Sequence, residues 1–258
     1  MPDDVAAPGT GRPSLTIEGA RATIRLNRPE FHNRVEPADL DVLTGLLEQV
    51  ENDPALRVLV ITATGRSFSS GFHIGELGAP GSTTSFEALA DRLERVRVPT
   101  ICVLNGGVYG GATDLALACD FRIGVEGMAM FMPAARLGLH YYRGGMQRYV
   151  SRLGVDTAKR LFLTAEKLDA AELLRVGFLT ELVGADRLEA RAGALADTLA
   201  GHAPLAVQGM KSALNAIARG GADWAAIEAA EQRCKQSEDI REGRLAWLEK
   251  RPPRFVGR

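Results

Sequence analysis

Two glycine-rich stretches carry residues whose spacing could do chemistry. In Asn105-Gly106-Gly107-Val108-Tyr109-Gly110-Gly111-Ala112-Thr113-Asp114, glycines separate a short apolar run, Thr100 to Leu104, from a helix-like run, Leu115 to Cys119. Glycine at a strand-to-helix junction lets bare backbone turn sharply and approach a ligand. The first-turn N–H groups of a helix lack partners inside it, and the positive end of the helix dipole lies behind them. Such a place can hold an oxyanion. Upstream, Leu56 to Ala63 (LRVLVITA) has the continuous apolar character of a buried strand. After it comes the loop GRSFSSGFHIGEL, Gly65 to Leu77, in which small residues and Gly71 again bring backbone to a strand end. Two such loops after successive strands can aim two N–H donors at one oxygen. Asp114 stands three residues beyond Gly111, so on a helix its carboxylate projects from the same face.

The elements that must position these loops are legible in the patterning. Leu15 to Glu18 and Ala22 to Leu26 alternate apolar and polar, as two half-buried strands joined at Gly19 would. Pro37 opens a helix whose Leu40, Leu43, Leu46, Leu47 and Val50 recur at helical spacing, ending at Asn52-Asp53-Pro54. The strand 56–63, a helix from Ser85 to Arg95, the strand 100–104, and short strands at 121–123 and 129–131 follow. Beyond Arg143 the chain reads as helices at 145–153, 155–164, 168–175, 187–200, 204–219, 222–234 and 238–250. Repeated strand–strand–helix order predicts an α/β spiral of stacked turns over residues 13–200. A helical region over 201–258 follows it, and residues 1–12, rich in Pro and Gly, read as a disordered tail.

Composition excludes several classes. A net charge of −1 over 258 residues offers no general attraction to nucleic acid or an anionic membrane. No stretch of 18 or more apolar residues exists, and the N-terminus does not resemble a signal or transit peptide. Three widely spaced cysteines, Cys102, Cys119 and Cys234, argue against a disulfide framework and for a reducing cytoplasm. Cys102 and Cys119 sit in apolar runs and read as core. No metal-ligand spacing, dinucleotide fingerprint or Ser/His/Asp order stands out.

At the two loops the sequence resembles the crotonase (enoyl-CoA hydratase/isomerase) superfamily, and the resemblance covers nearly the whole chain. Ile24-Arg25-Leu26-Asn27-Arg28-Pro29-Glu30 is similar to the family's opening strand and its coenzyme-A-contacting turn. Gly65 to Leu77 is similar to its first oxyanion loop, and Asn105 to Asp120 to its second. Ala246 to Phe255 resembles its closing helix and tail. The resemblance implies a crotonase-like spiral of ββα units with a C-terminal helical region, assembled as a trimer or a dimer of trimers. It implies an acyl-coenzyme-A thioester as substrate, no covalently bound cofactor, and an enolate held by the N–H groups of Phe72 and Gly111. Phe72 would also line the acyl pocket.

The remaining assignments rest on the same resemblance. Asp114 falls where family hydratases place an acid/base glutamate. Aspartate is one methylene shorter; the acid/base reading is favoured over that of an acidic residue placed only by the helix dipole. Ala134, aligned through Pro133 and Gly138, falls where hydratases carry their second glutamate, so two-carboxylate hydration is absent as written. Tyr142 takes the position of a catalytic aspartate in family isomerases and dehalogenases, and Tyr141 that of a tyrosine in methylmalonyl-CoA-type decarboxylases. His140 is the titratable group near neutral pH in that segment. His73 replaces an aspartate common after the first loop and is expected to be exposed. For coenzyme A the resemblance points to Glu30, Phe31 and His32, mainly through backbone, and to Ser70, Phe72 and Ile74 along the pantetheine. Lys250 would meet the 3′-phosphate from a neighbouring subunit, with Trp247 packed nearby. The side chains of His32 and His202 read as surface. Three readings stay open: a non-standard hydratase or isomerase, a decarboxylase of malonyl-type thioesters, and a catalytically silent acyl-CoA-binding protein. A nucleic-acid role finds no basic patch.

Overall fold

The computed structural model describes residues 11–73, 75 and 84–258. The tail expected at 1–12 lies outside them up to residue 10. The chain opens with the antiparallel pair β1 (Ser14–Glu18) and β2 (Arg21–Leu26), registered Ser14 opposite Arg25 and Glu18 opposite Arg21. Helix α1 (Pro37–Asn52) starts with proline in its first turn, and the Glu36 N–H donates to Asp39 Oδ2 at 2.9 Å. Proline costs nothing at a position whose N–H has no helical partner.

Two sheets then grow together. β3 (Val58–Ala63) and β5 (Thr100–Leu104) are buried along their whole length, as continuous apolar runs in a parallel sheet must be. With β7 (Phe121–Val125) and β10 (Glu181–Val183) they complete a six-stranded sheet, β1-β2-β3-β5-β7-β10, parallel from β2 onward. Three short strands, β4 (Ser67–Ser69), β6 (Gly107–Tyr109) and β8 (Ala129–Phe131), run parallel in a second sheet. The antiparallel β9 (Leu168–Asp169) closes it. From β3 to β8 each turn of the chain thus lays one strand in each sheet and then a helix. α2 (Phe86–Arg95) follows β4, and α3 (Gly111–Ala118) follows β6. This is the α/β spiral that the order of elements predicts.

α4 (Arg143–Leu153), α5 (Val155–Thr164), α6 (Ala170–Arg175) and α7 (Leu188–Ala200) complete the body, with α7 packed across β3, β5 and β7. Cys102 and Cys119 are fully buried. Three sequence readings change. The helix expected over 168–175 begins as β9, because Asp169 caps α6 by accepting the Glu172 N–H. β4 and β6 lie inside segments expected to be loops; three residues are too few to show a period. β10 has no expected counterpart.

The last three helices, α8 (Pro204–Ala218), α9 (Trp224–Gln236) and α10 (Glu238–Glu249), bury little. Met210, Leu214, Trp224, Trp247 and Leu248 are each more than half exposed.

Candidate active site

The first loop is held by the turn that follows β2. Asn33, with a left-handed backbone, spans the gap: its Nδ2 donates to Thr64 O at 2.8 Å and Ser67 O at 2.9 Å. Its Oδ1 accepts the Arg28 N–H. Ser70 N donates to His32 O at 2.8 Å, and Ser69 Oγ to Asn33 O at 2.7 Å. Val35 then pairs with the backbone around Phe72: Val35 N donates to Gly71 O and His73 N to Val35 O. In extended chain, successive peptide groups point to opposite edges. The groups flanking Phe72 serve Val35, so the N–H of Phe72 itself faces the other edge.

Gly71 brings the second loop against the first. Its φ is +86°, and a β-carbon there would lie 2.7 Å from Tyr109 O and 2.9 Å from the Gly111 nitrogen. Only glycine permits both the conformation and the approach. Gly110 N donates to Phe131 O at 3.1 Å, anchoring the loop to β8, and Gly111 is the first residue of α3. A β-carbon on Gly110 would be 4.0 Å from Pro133, which places the buried Ala134 in the same neighbourhood. Phe86, first residue of α2, covers Gly111 and meets Phe72 edge-on with ring centroids 6.0 Å apart. This arrangement puts bare backbone and a helix N-terminus beside an aromatic wall, and can stabilise negative charge on an oxygen.

Asp114 does not present a free carboxylate, which corrects the expectation for that side chain. It is fully buried. The Arg148 guanidinium forks onto it, Nε to Oδ1 at 2.8 Å and Nη2 to Oδ2 at 2.6 Å. Tyr142 Oη donates to the same Oδ2 at 2.6 Å, and Tyr141 Oη donates to Tyr142 Oη at 3.1 Å. Arg148 also reaches Asp91 at 2.6 Å and Glu94 at 3.4 Å. Arg152 and Arg219 pair with Glu94, and Arg219 with Asp91. Burial alone would lower the Arg148 pKa; its bonds to Asp114 and Asp91 hold it above the ordinary value instead. Burial, reinforced by the Asp114 charge, pushes the hydroxyls of Tyr141 and Tyr142 well above the phenol range. Both are held as hydrogen-bond donors, and neither is a base near neutrality.

That shift has a consequence for stability. In the unfolded chain a tyrosine ionises at about pH 10, whereas folded Tyr141, Tyr142 and the buried Tyr149 stay protonated beyond it. Stabilisation from a raised folded pKa is complete below the unfolded value and is lost as pH rises past it. The urea midpoint should therefore hold from neutrality to about pH 9 and fall above about pH 10. The fall should be shallower in a Tyr141→Phe/Tyr142→Phe variant, and an equal slope in both proteins would contradict this account.

The other expected residues divide into groups. Phe31 and His32 meet Ser70, whose Oγ donates to Phe31 O at 3.4 Å. Glu30 lies on the same turn. Ile74 lies outside the described residues. The His32 side chain is not at the surface: it is half-buried, with Nδ1 2.9 Å from Ser67 Oγ and Nε2 3.1 Å from Arg66. His73 is not a free loop residue either, since its Nδ1 meets Glu36 Oε2 at 2.8 Å. His140 is exposed, with Nδ1 2.9 Å from Tyr141 O. Trp247 and Lys250 are exposed at the end of α10. Arg148, Thr113, Tyr149 and Phe86 are drawn into the site with no mark in the sequence; Arg148 lies 34 residues from the carboxylate it binds.

Two sheets wound by repeated strand–strand–helix turns, with glycine loops meeting at a helix N-terminus, define a crotonase-type spiral. Residues 16–258 match the family described as Enoyl-CoA hydratase/isomerase. The chain is 32% identical over 243 residues to a probable enoyl-CoA hydratase of Mycobacterium bovis, covering 91% of this chain and 94% of the other. It is 31% identical to a crotonyl-CoA hydratase of Syntrophomonas wolfei, covering 95% and 97%. The crystal structure of an enoyl-CoA hydratase from Bacillus anthracis superposes with a TM-score of 0.85 at 28% identity, covering 96% of this chain and all of the other. This chain belongs to the enoyl-CoA hydratase/isomerase family and is an acyl-CoA enzyme of that family. Among the described residues no helix is long and apolar enough to cross a membrane, and no cluster of side chains is suited to a metal ion.

Proposed function

We propose that the chain binds an acyl-CoA thioester against the two glycine loops and stabilises its enolate through the N–H groups of Phe72 and Gly111. The close approach of Gly71 to the Gly111 nitrogen supports this, as does the outward edge on which the Phe72 N–H lies. The turn bearing Glu30, Phe31 and His32, with Ser70, takes the coenzyme. Lys250 takes its 3′-phosphate across a subunit contact, with Trp247 packed nearby. The exposed apolar residues of α8 to α10 suit a homo-trimer or hexamer. The compartment is the cytoplasm, and the thioester is the only cofactor-like group required.

One observation supports a reaction other than two-carboxylate hydration: both Asp114 oxygens are already engaged, by Arg148 and Tyr142. Ala134 contributes only a methyl group where the family resemblance calls for the second glutamate. Activating water needs a base, and hydroxyls held protonated cannot supply one. Tyr141 and Tyr142 stay protonated and act as hydrogen-bond donors, Tyr142 to Asp114 and Tyr141 to Tyr142, so the proton taken up by the enolate carbon comes from solvent.

The engagement of the Asp114 carboxylate favours a second reading. A malonyl-type thioester generates its own enolate by losing CO₂, and then needs only a proton. Turnover of crotonyl-, 3-enoyl- and methylmalonyl-CoA, followed by mass spectrometry, tests both readings. Methylmalonyl-CoA should be decarboxylated faster than crotonyl-CoA is hydrated, and Ala134→Glu should raise hydration. Crotonyl-CoA hydration by the wild type at about 10–10³ per second would overturn the assignment. Binding without turnover of any thioester would mark a silent acyl-CoA-binding protein.

A further inference from the structure

We propose that Thr113 and Tyr149 are positioning residues that hold the Gly110–Gly111 peptide in the one orientation that aims the Gly111 N–H out of helix α3. The inference rests on the reading of that N–H as an oxyanion donor. The peptide has glycine on both sides, so no β-carbon resists its rotation. Gly110 sits at φ +54°, ψ −134°, a conformation open to glycine and few others. Left alone, such a peptide plane can flip.

Its carbonyl is held from two directions. Gly110 O accepts the Thr113 N–H at 3.1 Å and the Thr113 hydroxyl at 2.6 Å. In a planar trans peptide the C=O and N–H point to opposite sides. Fixing the carbonyl toward Thr113 therefore turns the Gly111 N–H away from the helix body.

The chain continues one step further. Thr113 Oγ1 also bonds to the Tyr149 hydroxyl. A hydroxyl carries one proton, and that of Thr113 is committed to Gly110 O. Tyr149 must therefore donate. Burial keeps the Tyr149 hydroxyl protonated far above neutrality, so the direction of donation does not reverse. Tyr149 is fully buried on α4 and packs against Phe162, ring centroids 4.5 Å apart. The donor on α3 is thus referenced to the α4–α5 body through Tyr149, Thr113 and Gly110, none of which need touch the substrate.

The test uses the intact protein with [1-¹³C]butyryl-CoA, a saturated thioester, and isotope-edited infrared spectroscopy of its carbonyl. Binding to the wild type should move the stretch to lower frequency. Thr113→Val, which exchanges the hydroxyl for a methyl, should lose most of that shift and lower kcat by about 10–100-fold, with KM changed by less than about threefold. Thr113→Ser should restore both. Tyr149→Phe should lose part of the shift, and it serves alone if the valine variant does not fold. A full wild-type shift in both Thr113→Val and Tyr149→Phe would overturn the positioning role. No shift in the wild type would instead remove the oxyanion assignment, and this inference with it.

Discussion

Gly111→Pro should lower turnover by at least about 10²–10³-fold, the cost of deleting one oxyanion donor. Proline removes the N–H and suits the first position of a helix, where Gly111 stands, so α3 should still form. The ring is not free of steric cost. A β-carbon on Gly111 would meet the Phe86 ring edge at 2.9 Å, and Phe86 must move to admit it. Gly111→Ala carries the same β-carbon yet keeps the N–H, and separates the two effects. The alanine variant should retain most of the wild-type rate, with any loss appearing chiefly in KM as the aromatic wall shifts. Circular dichroism and thermal melting establish that both variants fold. Equal rates in the proline and alanine variants would mean that the Gly111 N–H does no chemistry.

Much of the spiral is legible in the sequence because its signals are local. β3 and β5 are unbroken apolar runs, α1 is bounded by Pro37 and Asn52-Asp53-Pro54, and α2 is opened by Ser85, which accepts the Ala88 N–H. The glycine loops are also local, and Gly71 and Gly111 do come together. What the sequence conceals is long-range. Asp114 looks like a free acid because its partner arrives on α4, and nothing in helical spacing couples α3 to α4. Thr113 carries no signal of its own until Tyr149 is folded against it. His73 looks like an exposed loop residue because Glu36 comes from the start of α1. β4, β6 and β9, of three, three and two residues, carry too few side chains for alternation to register.

The ion cluster around Arg148 should decide stability. Three carboxylates, Asp91, Glu94 and Asp114, meet four guanidiniums, Arg148, Arg152, Arg219 and, on the exposed side, Arg95. Arg148→Met removes the one guanidinium that reaches all three carboxylates, and strands the fully buried Asp114 with only the Tyr142 hydroxyl. Breaking a buried pair in this way costs about 3–5 kcal/mol, a large part of the roughly 5–15 kcal/mol available to a folded domain. Removing both members takes the stranded charge out together with its partner. Asp114→Leu/Arg148→Met should therefore recover most of the lost stability in urea unfolding, because well-packed apolar side chains often replace a buried ion pair without loss. Turnover by the double variant then separates two roles for Asp114. Loss of a direct acid/base would slow the reaction by about 10²–10⁴-fold. A carboxylate that only anchors Tyr142 should leave the rate within about tenfold of wild type, since Tyr142 keeps its bond from Tyr141 and its place beside Gly145. An Arg148→Met variant destabilised by less than about 1 kcal/mol would show that the cluster is solvated, as surface ion pairs are, and not the buried anchor inferred for it.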